Sequence, residues 1–218
     1  MNQAVRAIHA LVEESARYFS TLSGPGLVEV RAGLEERKDG AITPAADPAH
    51  PIVDRWLHLG LAPLARTHPA LAQAIDAARP HLPWRSFNGY RLEDVGTGFM
   101  AGNAFAPIIG EDAAIATRDW ELGLFLIEPH VLYRDHRHPA TELYAPLTGP
   151  HGWRFGARGP LAVLDAHRPV WNAPNATHLI KAGPVPFLCL YAWTRDVNAG
   201  VEIVRAPDWA ELESLRLG

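Results

Sequence analysis

Tyr133-Arg-Asp-His136-Arg-His138-Pro-Ala-Thr-Glu142-Leu-Tyr144-Ala-Pro-Leu-Thr-Gly149 is the stretch on which the reading of this chain turns. His136 and His138 are two residues apart, so on an extended strand both imidazoles leave the same face, as two ligands of one ion require. Glu142 and Tyr144 repeat that spacing. A further ligand must come from elsewhere, and Pro174-Asn-Ala-Thr-His178 offers a histidine after a turn-forming run. Three imidazoles and one carboxylate suit a single divalent transition ion: zinc or iron first, nickel or manganese as alternatives. Tyr144 shares the parity of Glu142 and is expected to point the same way. Beside a divalent ion its phenol can be held as phenolate, making a general base of a group whose free pKa is about 10. Tyr133 has the opposite parity to His136, so an unbroken strand would turn it away, whereas a bulge at Arg134-Asp135 would bring it inward.

Around this stretch the texture is that of an antiparallel barrel. From Trp84 onward, short runs rich in Phe, Tyr, Val, Ile and Leu are broken by Gly, Pro and Asn. The clearest strands are 122–127, 142–147, 161–164 and 187–193, and the tail after Pro207 returns to helical spacing. The first eighty residues read differently. Val5, Ile8, Leu11, Val12, Phe19 and Leu22 recur at helical period over 3–22, and Ser23-Gly-Pro-Gly26 ends that helix. A polar, proline-bearing stretch from 35 to 51 follows. The segments 52–65 and 69–78 are again helical, with Pro51 and Pro69 suited to first-turn positions. The expected organisation is a helical extension over 1–83, packed on a metal-binding barrel over 84–218 that ends in a short helix.

Composition narrows the partners. In 218 residues, 48% hydrophobic content suffices for one substantial core. A formal charge of −4 without a basic run argues against nucleic acid as a partner. No apolar run is long enough for a membrane span, and the start lacks an unbroken apolar signal region, so a soluble cytoplasmic protein is expected, with no membrane partner. The lone Cys189, in Val185-Pro-Phe-Leu-Cys-Leu-Tyr-Ala-Trp193, is expected to be a buried, inert thiol. Trp193 in the same run is either core filler or a pocket face able to hold a cation by cation–π attraction.

His136, His138, Glu142 and Gly149 fit the first signature of the cupin superfamily after its leading glycine, where this chain has His130. The second signature is partial: His178 is present and Pro174 lies one place from the expected proline. A cupin barrel, a mainly β jelly-roll, is what this resemblance implies. A tyrosine three residues before the first histidine, a tyrosine two after the glutamate, and a tryptophan fifteen after the late histidine extend the likeness. Together they resemble the cupin dimethylsulfoniopropionate (DMSP) lyases of the Q and L types, over about residues 85–195. That resemblance implies cleavage of DMSP to dimethyl sulfide and acrylate, the metal held by His136, His138, Glu142 and His178. It makes Tyr144 the base, Tyr133 a substrate-positioning or alternative base, and Trp193 part of the pocket wall. The same ligand set serves other metal-dependent cupins, such as dioxygenases and sugar isomerases. For a phosphorylated sugar, Arg134, Arg137 and Arg154 would have to supply a basic pocket. A non-catalytic cupin that binds a small molecule is the third reading. A homodimer is compatible with all three.

Overall fold

A computed structural model describes residues 2–46 and 49–218; Met1, at the start of the expected extension, and Asp47 and Pro48, in its polar stretch, lie outside the described residues. The first third is helical: α1 (Gln3–Thr21), α2 (Leu27–Arg37), α3 (Pro51–Thr67) and α4 (Pro69–Ala78). Pro51 and Pro69 both occupy first-turn positions, where the missing N–H costs nothing. The helix α2 adds to the three helices expected in this part of the chain. Its apolar face is only Leu27, Val30 and Leu34, while Val28 is exposed, and Gly26 at φ +77° starts it.

A fifth helix, α5 (Leu92–Ala101), interrupts the short strand-like runs expected from Trp84 onward. Gly96 and Gly98 read as breakers, and Gly96 does kink the helix at φ +81°. Tertiary packing holds it nonetheless, because Val95 and Phe99 are buried against the barrel.

The barrel follows as β1 (Asn103–Gly110), β2 (Ile115–Ala116), β3 (Glu121–Ile127), β4 (Leu132–Arg137), β5 (Thr141–Pro146), β6 (His151–Phe155), β7 (Ala162–Leu164), β8 (Val170–Asn172), β9 (His178–Ala182), β10 (Phe187–Arg195) and β11 (Glu202–Ile203). The helix α6 (Trp209–Ser214) follows. Two sheets face each other, in the orders β2-β1-β3-β10-β5-β8 and β11-β4-β9-β6-β7. This is the cupin barrel with its helical extension.

Strand alternation sorts the side chains. On the six-stranded sheet Leu122, Leu124, Leu126, Leu188 and Leu190 face outward and join one core cluster with Ile8, Phe19, Leu57 and Ile75 of the helices. The inward set includes Phe125, Tyr144, Tyr191 and Cys189, which meet Tyr133, Trp153 and Ile180 of the other sheet. Cys189 is fully buried, and burial pushes its thiol well above its usual value. The outer face of the five-stranded sheet is covered by α6, with Leu212 and Trp209 on Leu132 and Leu179.

Candidate metal centre and pocket

His136 on β4 lies directly opposite His178 on β9, their rings 4.1 Å apart. His138 follows the end of β4 and is tied to the turn before β9, its carbonyl accepting from the Asn175 N–H at 2.8 Å. The ligand nitrogens of the three buried histidines lie within 4.8 Å of one another, so the triad could hold a metal ion. His130, where the cupin signature has glycine, keeps the turn before β4 at φ +64°.

Backbone carbonyls fix the rings. Each Nδ1 lies 2.9 Å from a carbonyl two residues away: Arg134 for His136, Ala140 for His138 and Ala176 for His178. A carbonyl only accepts, so each Nδ1 carries the proton and each Nε2 of a neutral ring turns a lone pair inward. Glu142 lies alongside, with Oε2 3.0 Å from His138 Nε2 and 3.3 Å from His178 Nε2. The His178 Nε2 is buried and makes no hydrogen bond. Lone pairs of two imidazoles facing a buried carboxylate are relieved by a proton on one ring or by a cation between them, and a divalent ion fits this donor set.

The titration behaviour has the same origin. Burial opposes charge on Glu142, but the neighbouring His138 and His178 outweigh it and hold the carboxyl well below its usual range. Burial likewise opposes charge on His138, and Glu142 outweighs it, raising that imidazole. His136 is pushed well below its ordinary value by burial, then by His178 and His138. Asn172 donates to Glu142 Oε2 at 3.1 Å, and the Trp193 indole N–H donates to Oε1 at 2.7 Å. Asn172 carries no motif, so sequence reasoning passed over it.

The bulge considered at Arg134-Asp135 is present. Tyr133 pairs with Ile180 and His136 with His178, so three steps on β4 match two on β9. The extra residue brings Tyr133 to the same face as His136, with the two rings stacked at 3.8 Å. Phe99 of α5 stacks on Tyr133 at 4.0 Å, and the Tyr90 hydroxyl lies 2.5 Å from that of Tyr133. Tyr144 is buried between Trp153 and His178. Trp193 stacks on His138 at 4.6 Å, so one indole face is already occupied.

Tyr133, Glu142, Tyr144 and Trp193 line one side of a cavity of about 310 Å³. Phe87, Phe99, Phe105 and Phe125 make it aromatic, Arg85, Glu121 and Tyr191 add polar groups, and residues 197–201 form a rim. The phenylalanines, Tyr90 and Glu121 were not legible as site residues, since they come from four separate segments. His130 and His151 do not line this cavity. The arginines weighed as a basic pocket point elsewhere: Arg134 pairs with Glu213, Arg137 with Glu202, and Arg154 with Asp135 and Asp208.

Fold and site together define a cupin with a buried histidine triad able to hold a metal ion. A family model described as dimethylsulfoniopropionate lyase matches residues 34–189, and the chain belongs to that family. Among solved structures, the DMSP lyase DddQ from Ruegeria pomeroyi DSS-3 is 21% identical with a TM-score of 0.67, the match covering 91% of this chain and 96% of that one. A crystal structure from work on the DMSP lyases RdDddP and RnDddQII is 20% identical at the same TM-score, covering 93% of this chain and all of that one. At these identities the likeness concerns the fold. No curated protein sequence matches the chain.

Proposed function

We propose that this protein cleaves dimethylsulfoniopropionate to dimethyl sulfide and acrylate, a carbon–sulfur β-elimination, with His136, His138, Glu142 and His178 holding one divalent transition ion, zinc or iron. The observation that carries this reading is the convergence of that ligand set, Tyr144 and an aromatic cavity in a chain of the DMSP lyase family. When bound, the ion supplies Lewis acidity for the substrate carboxylate and offsets the charge of Glu142. The chain's own groups do the rest. Tyr144 is the base that removes the proton alpha to the carboxylate, and dimethyl sulfide leaves from the beta carbon without needing an acid.

Burial, then the charge of Glu142 and the nearby Tyr133, raise the Tyr144 phenol well above 10. With the chain's charges alone this phenol stays protonated, so the phenolate depends on the positive charge of the ion. In this reading Tyr133 positions the substrate, a role supported by its being clamped between His136 and Phe99 and hydrogen-bonded to Tyr90. Trp193 forms pocket wall and orients Glu142.

The test is headspace dimethyl sulfide with acrylate measured in parallel, on protein loaded separately with zinc, iron, nickel or manganese. Equal amounts of both products are expected, lost with a chelator and in His178→Ala. Tyr144→Phe should lower turnover by at least about 10²-fold while metal stays near one ion per chain. No product with any metal, despite stoichiometric metal binding, would reject the lyase; an active Tyr144→Phe would remove the tyrosine from the mechanism.

A further inference from the structure

At the side of the cavity away from the histidines stands a carboxylate that the proposed elimination does not use. Glu121 begins β3, where it pairs with Trp193 of β10, and Trp193 pairs in turn with Glu142 of β5. Residues directly opposite in antiparallel register share a face, so Glu121, Trp193 and Glu142 form one row into the cavity. Two strand spacings separate the backbones of Glu121 and Glu142 along that row, roughly 10 Å.

The next row explains how Glu121 is held. Tyr191 pairs with Gly123, and a Cβ on Gly123 would lie 2.6 Å from the Tyr191 ring. The absent side chain lets the phenol lean across β3 and donate to Glu121 Oε1 at 2.5 Å. Among the described residues no cation lies within ion-pairing distance of Glu121. Arg85 lines the same cavity, but its guanidinium lies over the Phe105 ring at 4.9 Å and 4.0 Å from Asp112. Burial raises the Glu121 carboxyl, with Tyr191 and Arg85 acting the other way. A partly desolvated carboxylate beside Phe105 and Phe125 gains on meeting a cation that is weakly hydrated.

We infer that Glu121, fixed by Tyr191 over Gly123, is a specificity residue that holds the positively charged onium end of the substrate, opposite the histidine centre that takes its carboxylate. This rests on the lyase reading for the substrate's polarity, and it makes the pocket a charge-sorted slot: acceptor groups for the cation at one end, the cationic centre for the anion at the other.

Two ligands of equal shape separate this inference from the lyase reading. These are 3-(trimethylammonio)propanoate and 4,4-dimethylpentanoate, which differ by one positive charge. Calorimetric titration into zinc-loaded protein is expected to show the cationic ligand binding about tenfold tighter. Glu121→Gln should bring the two affinities together. Tyr191→Phe removes the hydrogen bond that holds the carboxylate in place but leaves its charge, so it should reduce the preference for the cation without abolishing it. A wild-type protein that does not prefer the cation, or a Glu121→Gln protein that keeps the preference, overturns the inference. Preference for the cation in a protein that releases no dimethyl sulfide would reject the lyase reading alone.

Discussion

His151 shows how a single buried side chain sets a pH limit on this fold. Trp153 donates its indole N–H to His151 Nδ1 at 2.7 Å, and an indole can only donate, so that nitrogen must be unprotonated. Burial holds the imidazole down at about 4. Between the free value near 6.5 and about 4, the unfolded chain therefore binds a proton that the folded chain refuses. The stability associated with neutral His151 is complete above about pH 6.5, falls as pH drops to about 4, and is flat below. The loss amounts to about 3 kcal/mol. His151→Asn, which keeps an acceptor for Trp153, should flatten this part of the acid limb in urea melts between pH 7 and pH 4. Equal pH slopes in wild type and variant would dismiss the role. At this scale the sequence pointed to His136, His138, Glu142 and Tyr144 because their spacing is local, and to His178 through the turn-forming run before it and the partial second signature. Asn172, Tyr90 and Glu121 escaped it, since each belongs to the site only through a partner at least thirty positions away.

The strand β4 carries a different burden on each face. Its bulge puts Tyr133, which lines the cavity, on one face with His136 of the histidine triad and leaves Asp135 fully buried on the other side, where Arg154 of β6 pairs with it and the Trp209 indole donates to it at 2.8 Å. Arg154 is itself only 1% exposed. Removing the carboxylate leaves that guanidinium buried, with only the half-exposed Asp208 in reach. Asp135→Ala is expected to cost about 3 kcal/mol of stability and to weaken metal binding by loosening β4, read from urea melts and from competition with a chelator. Unchanged values of both would mean that the pair contributes nothing to the site. Parity alone made the bulge necessary if Tyr133 was to reach the pocket, so it was legible as a condition. The helix α5 was not legible, because its glycines argue against a helix and only the docking of Val95 and Phe99 overrules them.

Across the whole molecule the barrel is wrapped on two sides. Helices α1 to α4 cover the outer face of the six-stranded sheet through one shared core, and α6 covers the five-stranded sheet. The fit is close. A Cβ on Gly26 would lie 2.0 Å from the Trp171 ring, and one on Gly33 would lie 2.5 Å from the Trp120 indole nitrogen. We therefore expect the division into 1–83 and 84–218 to mark texture rather than independence. A chain limited to 84–218 would expose the leucine face of β3 and β10, and its circular dichroism should show no cooperative melt; a cooperative one would make the barrel a separate unit. The helical period and the barrel texture were both readable in the sequence, whereas their mutual packing depends on which strand face turns outward.

The seven tryptophans fall across these layers, with Trp193 hydrogen-bonded to Glu142 at the centre, Trp153 in the barrel core, Trp56, Trp84, Trp120 and Trp171 in or against the helical cover, and Trp209 on α6. Each layer thus has its own intrinsic fluorophore. Phenylalanine replacements one at a time would let emission report separately on an ion arriving at the centre and on the loosening of either cover, with no added label.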